Sequence, residues 1–224
     1  MADTVTLHLD EITKNLASLT AEEKLPGMGV CIADSSGVVL AEGFGFADIE
    51  TRTIQSPQTR QRIGSITKTM LGITAMRLVE RGKLRLDSHV PTLLPEITFL
   101  GPTDNLTVWH LLTHTSGIGE APTLDWFLDP ISSLFSDNPQ NLPFARQYPD
   151  GIEIEQIPGT HWHYQNHGFA LLGEIVARAE ETSVADALKN HIFDPLDMTD
   201  SDALDKPHER LSSPYHRTPT HDEL

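Results

Sequence analysis

Between Gly119 and Gly159 the chain carries Pro122, Pro130, Pro139, Pro143, Pro149 and Pro158, with no sustained hydrophobic period. Proline fixes φ and removes a backbone donor, so neither a long helix nor a central strand crosses such a stretch. Regular structure must come from the flanking segments, and a loop-rich stretch this long inside a domain is expected to shape a pocket. Upstream, Leu9, Ile12, Leu16 and Leu19 recur at helical spacing and predict an amphipathic helix within residues 4–23, where Val5 and Leu7 also lie, ended by Pro26-Gly27. Met28–Asp34 and Val38–Phe46 flank Ser35-Ser36-Gly37 and read as a β-hairpin. After Ser65, the spacing of Ile66, Met70, Ile73, Leu78 and Val79 predicts a helix with one buried face, stopped by Gly82. A short helix over Leu106–Leu112 is expected to end near Gly117. Downstream, Phe169–Ala179 and Ala185–Phe193 predict two more helices, and Asp205–Leu224 reads as a polar, weakly structured tail. A chain of 224 residues suffices for a single domain over 1–224 with its own core.

Charge excludes some partners. The net charge is −16, and most of it falls after residue 100. A field of that sign repels phosphate backbones, which argues against a nucleic-acid partner. No window approaches the ~18 apolar residues of a membrane span. The N-terminus lacks a basic segment followed by an apolar one, so the expected setting is cytoplasmic, in keeping with the single Cys31. His221-Asp222-Glu223-Leu224 spells an ER-retention signal, which has no meaning without prior entry to the ER.

Ser65-Ile66-Thr67-Lys68 is the first chemically suggestive group. A serine and a lysine three residues apart lie on one helix face, so the lysine can hydrogen-bond the hydroxyl and ease its deprotonation. A serine at a helix N-terminus also has backbone N–H groups aimed at developing negative charge. Alone, the tetrapeptide reads first as a solvated lysine on a helix. The second group is Tyr164-Gln165-Asn166, whose first and third side chains project to one side of an extended segment. A phenol there can shuttle a proton and an amide can bind a carbonyl; the same residues also suit an ordinary helix-entry loop.

With both groups in place the chain resembles the serine β-lactamase/penicillin-binding-protein superfamily, nearest the class C β-lactamase, family VIII esterase and D-aminopeptidase group. Further segments follow in that family's order: Leu78-Val-Glu-Arg-Gly-Lys-Leu-Arg-Leu-Asp87, Leu106-Thr-Val-Trp-His-Leu-Leu-Thr-His-Thr-Ser-Gly117, Pro158-Gly-Thr160, Phe169-Ala-Leu-Leu-Gly173 and Ile192-Phe-Asp-Pro-Leu-Asp-Met198. The resemblance implies an α/β (α+β) fold, a sheet flanked by helices with a helical subdomain. It implies Ser65 as acyl-accepting nucleophile, Lys68 as its base partner, Tyr164 as general acid/base, and Asn166 as the group orienting the substrate carbonyl or Lys68. The Ser65 backbone N–H would be one oxyanion donor, and the Leu111–Gly117 motif, with His114 and Ser116, structural support. The implied reaction hydrolyses a small ester, amide or peptide with no cofactor.

Three departures stand out. Gln165 replaces the family's usual serine, and Asp197 replaces a glycine before Met198. No His-x-Gly or Lys-x-Gly tripeptide follows Tyr164, so the strand that carries it is expected to be missing and the domain to be C-terminally incomplete. An oligomer or a partner segment completing the sheet is therefore an expected partner.

Two rival readings remain. His110-x3-His114 and His161-x-His163-x3-His167 have spacings that can ligate zinc, but no carboxylate or cysteine completes either set; the expectation is no metal. The missing motif also suits a catalytically incomplete fragment, or half of a split enzyme, acting as an interaction module.

Overall fold

The computed structural model describes residues 8–22, 25–119, 148, 150–203 and 208–214. Most of the proline-rich segment, Val5, Leu7 and the terminal His221–Leu224 lie outside these described residues. The chain divides into two compact units, Met1–Arg62 with Pro207–Leu224, and Ile63–Lys206.

In the first unit, α1 (Leu9–Glu22) packs on a three-stranded antiparallel sheet. Leu9, Ile12 and Leu16 are half-buried as the spacing predicts, but Leu19 is exposed and Thr20 takes the next buried position. Thr20 fits because its hydroxyl donates to the Leu16 and Ala17 carbonyls of its own helix (3.2 and 2.9 Å). The expected hairpin is β1 (Gly27–Asp34) and β2 (Gly37–Asp48), registered from Gly27 opposite Gly45 to Asp34 opposite Gly37. Asp34 Oδ1 accepts from the Ser36 N–H and hydroxyl (2.7 and 2.6 Å), which closes the turn. β3 (Thr53–Ile54) adds to β2. Of the tail expected to be weakly structured, residues 208–214 are described. Its described part bridges Arg60 in parallel through Leu211, with Arg60 N–H donating to Arg210 O (2.8 Å) and Ser212 N–H to Arg60 O (2.9 Å). Ser213 donates its hydroxyl to Asp48 Oδ2 at 2.5 Å.

The second unit is mainly helical. A 3₁₀ turn over Gly64–Ile66 leads into α2 (Thr67–Glu80), followed by α3 (Val90–Leu93), α4 (Val108–Leu112), α5 (Asn166–Glu180) and α6 (Val184–Leu188), which runs on as a π turn over Lys189–Phe193. Two short parallel strands, β4 (Phe99–Leu100) and β5 (Ile152–Glu153), pair Phe99 with Ile152. α5 is the central helix, with Phe169, Leu171, Leu172, Ile175 and Val176 all buried against α2, α4 and α6. Each such side chain contributes roughly 1.5–3 kcal/mol by leaving water.

The mixed helix-and-strand architecture agrees with the α/β expectation. The expected face of α2 does not. Leu71, Thr74, Ala75 and Leu78 are buried, whereas Ile66 and Ile73 are 61% and 48% exposed. The spacing identified the helix correctly, but α2 has apolar residues on more than one side, and periodicity alone does not choose among them. Among the described residues no helix is long and apolar enough to cross a membrane.

Candidate active site

Gly64 sets the local geometry. Its φ of +51° lies in the left-handed region, where a side chain is strained. A Cβ placed there meets nothing within 4 Å, so the glycine serves backbone conformation, not close approach. The chain then winds through Ser65 into α2, and Lys68 falls one turn later on the same face. Lys68 Nζ donates to Ser65 Oγ at 3.1 Å.

The other half of the site comes from the entry to α5. Residues 161–165 are irregular, and the helix begins at Asn166. Asn166 Oδ1 accepts from Lys68 Nζ at 2.5 Å, and Tyr164 Oη donates to Ser65 Oγ at 2.7 Å. Ser65 Oγ thus receives one hydrogen bond from an ammonium group and one from a phenol. Ser65 and Tyr164 are exposed, so the hydroxyl is open to an incoming molecule. Burial pushes the Tyr164 phenol up, but its hydrogen bonds with Lys68 and Ser65 and the Lys68 charge outweigh that and bring it below the ordinary range. Lys68 Nζ also lies 5.0 Å from the centre of the Tyr164 ring.

A family model described as Beta-lactamase matches residues 12–221. The chain belongs to the β-lactamase family. Among curated relatives of this β-lactamase-family chain, esterase EstB of Burkholderia gladioli is 30% identical over 211 residues, which is 87% of this chain and 51% of EstB. Protein flp of Staphylococcus aureus (strain COL) is 29% identical over 177 residues, 78% of this chain and 34% of flp. The octameric penicillin-binding protein homologue from Pyrococcus abyssi superposes with a TM-score of 0.70 at 32% identity, covering 86% of this chain and 44% of that one. EstCE1, a hydrolase with promiscuous acyltransferase activity, shares the fold with a TM-score of 0.69 at 21% identity, over 84% of this chain and 51% of its own. The chain therefore spans between about a third and a half of the length of these relatives.

All four residues picked from this family's motifs, Ser65, Lys68, Tyr164 and Asn166, come together within hydrogen-bonding reach. Two neighbours carry more of the site than the sequence suggested. Gln165, at the variable middle position, is buried and donates its side-chain amide to the Ile118 and Gly119 carbonyls (3.2 and 2.7 Å). That ties the tyrosine segment to residues 117–119, which pair with 153–156 through Gly119 N–H to Glu153 O and Glu155 N–H to Gly117 O. Gly117 is required there: at φ +74°, a Cβ would sit 2.0 Å from Gln156 O. His114 stacks against Tyr164, with ring centres 4.6 Å apart, and accepts the Gln165 N–H at Nδ1 (3.1 Å). Its place in the Leu111–Gly117 motif was legible, but its contacts lie with residues some fifty positions on.

The described histidines of the two zinc-like spacings have other partners. His110 Nδ1 accepts the Thr107 N–H (3.1 Å) as the return half of a capping box on α4. His161 pairs with Thr160 Oγ1, and His167 is buried in α5 beside Tyr148. Among the described residues no three His, Cys, Asp or Glu side chains are grouped to hold an ion.

Proposed function

We propose that the chain carries the acylation site of a serine hydrolase acting on a small carboxylic ester, amide or peptide. What supports this is the convergence on Ser65 Oγ of Lys68 Nζ and Tyr164 Oη, with Asn166 holding the far side of Lys68. Such an arrangement suits an activated nucleophile: Tyr164 is the base in contact, and Lys68, oriented by Asn166, touches Ser65 as well and favours the phenolate.

Ser65 Oγ attacks the carbonyl carbon as its proton passes to the phenolate form of Tyr164, which the Lys68 charge favours. The Ser65 N–H, at the start of the helical turn, donates to the developing oxyanion. The tetrahedral adduct collapses, the bond to the alcohol or amine breaks, and Tyr164 protonates that leaving group. Water then attacks the Ser65 ester as Tyr164 takes one of its protons; the acyl–Oγ bond breaks, Tyr164 returns that proton to Ser65 Oγ, and the acid leaves. Asn166 orients Lys68 and is the group nearest to hand for the substrate carbonyl. None of these steps calls on a cofactor. A fluorophosphonate probe with intact-mass readout tests the reading: one adduct that vanishes in Ser65→Ala supports it, and a folded chain that takes up no adduct overturns it.

A second reading has its own support. Ile73 and Met76 on α2, Ile66 in the turn before it and Trp109 on α4 are exposed, and the chain spans only about a third to a half of the curated relatives and solved structures above. In this reading the chain is one part of a split or multi-chain site and uses that apolar surface to bind a segment that completes it, or a second copy. Light scattering of the purified chain separates the two: a monodisperse monomer favours the first, and a defined oligomer favours the second.

A further inference from the structure

Four turns in the second unit close alike, with a left-handed residue just past the helix and a hydrogen bond spanning five residues. The bonds run from Lys83 N–H to Leu78 O, Thr115 N–H to His110 O, Thr182 N–H to Ala177 O and Met198 N–H to Phe193 O (2.9, 2.9, 3.0 and 2.8 Å). The left-handed residues are Gly82, His114, Glu181 and Asp197. Glycine is the unstrained occupant of that position. His114 stands at φ +57° with a ring, and backbone strain of this kind collects where a side chain has work to do.

The left-handed turn sends the His114 ring into the site. It lies against Tyr164 (4.6 Å between centres, 33°) and Phe169 (5.0 Å, 35°), with Trp162 edge-on at 6.1 Å. Nδ1 accepts the Gln165 N–H, and the His114 carbonyl accepts the His163 N–H at 2.9 Å. The residues on both sides of Tyr164 are therefore pinned to His114, and the phenol ring rests on its face. A nitrogen that accepts a peptide N–H carries no proton, so the neutral ring bears its proton on Nε2.

We propose that His114 is the positioning residue for Tyr164, holding the phenol at Ser65 only as the neutral Nε2–H imidazole. This rests on the acylation reading above. The charged or titratable groups facing the ring are Lys68 from α2 and Tyr164 from the segment before α5. His163 on that segment meets His114 through its peptide, and Phe169 of α5 and Trp162 are uncharged. Burial and the Lys68 charge both hold His114 below the ordinary imidazole range. Protonation at Nδ1 would end its acceptance of the Gln165 N–H and set a second cation beside Lys68, loosening Tyr164.

Three measurements on the full chain test this. Long-range ¹⁵N–¹H spectra at pH 8 should show His114 as the Nε2–H tautomer; an Nδ1–H tautomer overturns the proposal. His114→Gly relieves the left-handed strain, so it should fold at least as well as the parent. It should slow labelling of Ser65 by roughly 10- to 100-fold, the scale of a misplaced reacting group, and raise the Tyr164 phenol titration, read at 295 nm against Tyr164→Phe. His114→Asn, which tolerates the backbone and returns an oxygen acceptor near Nδ1, should recover part of both. Wild-type labelling and an unmoved phenol in His114→Gly overturn the proposal. If the parent chain takes no label at all, the acylation reading falls, while the tautomer and the phenol titration still decide the role of His114.

Discussion

At the scale of single residues, the candidate site depends on charge held close to a phenol. Lys68 touches Ser65 and Asn166 and stands over Tyr164. Replacing Lys68 with methionine keeps much of its bulk and removes the charge, so the Tyr164 phenol should rise toward its ordinary range, and Ser65 labelling should fall by about 10² or more. Absorbance titration and probe kinetics check the two effects. Tyr164→Phe should slow labelling to a similar degree, because the proton acceptor is lost while the ring stack on His114 remains. His167 makes a separate prediction. Burial pushes its imidazole down to about 4. A histidine depressed on folding binds more protons when unfolded, so its stabilising contribution is complete above the ordinary imidazole value and lost as pH falls from there toward 4. Denaturant midpoints should drop over that window, and the drop should shrink in His167→Gln.

At the scale of elements, the turns that end the helices carry measurable strain. Glu181 and Asp197 occupy left-handed positions at φ +53° that glycine holds without cost. Asp197 stands where the family resemblance implies glycine, and the 6→1 bond from Met198 to Phe193 closes the turn with the aspartate in place. Glu181→Gly should raise stability by up to about 1 kcal/mol, with Asp197→Gly gaining less, since aspartate tolerates this region better. Thermal melts of the two variants check the order. The next helix begins with a built cap: the Asp186 N–H donates to Ser183 Oγ at 3.0 Å, and Ser183 Oγ donates back to Asp186 Oδ2 at 2.8 Å. Ser183→Ala should cost about 1 kcal/mol in the same melts.

At the scale of the whole molecule, the two units raise different questions. The unit that holds Ser65, Lys68, Tyr164 and Asn166 has its own core, built on α5. It also exposes Ile66, Ile73, Met76 and Trp109. If those side chains bind a completing segment or a second copy, then Ile73→Asp combined with Met76→Lys should dissolve any oligomer seen by light scattering and leave the melt of the chain nearly unchanged. Surface substitutions away from packed features usually shift stability by no more than about 0.5 kcal/mol. An oligomer that survives the pair would remove this face from the interface.

The sequence by itself determined the order of elements around the hairpin and the main helices, and it picked out Ser65, Lys68, Tyr164 and Asn166. The elements follow from local rules of apolar spacing and turn residues, and the four candidates from short motifs read together with the chain's resemblance to its family. The sequence did not determine which side of α2 is buried, because apolar residues occur around the helix and only packing against α5, α6 and the π turn selects Leu71, Ala75 and Leu78. Nor did it reveal the docking of Leu211 beside Arg60, the clasp of Gln165 on Ile118 and Gly119, or the stacking of His114 on Tyr164. Each joins residues about 45 to 150 positions apart, and such contacts leave no period in a chain. Only the packing of distant segments brings those groups together, and that packing holds the tyrosine against the serine.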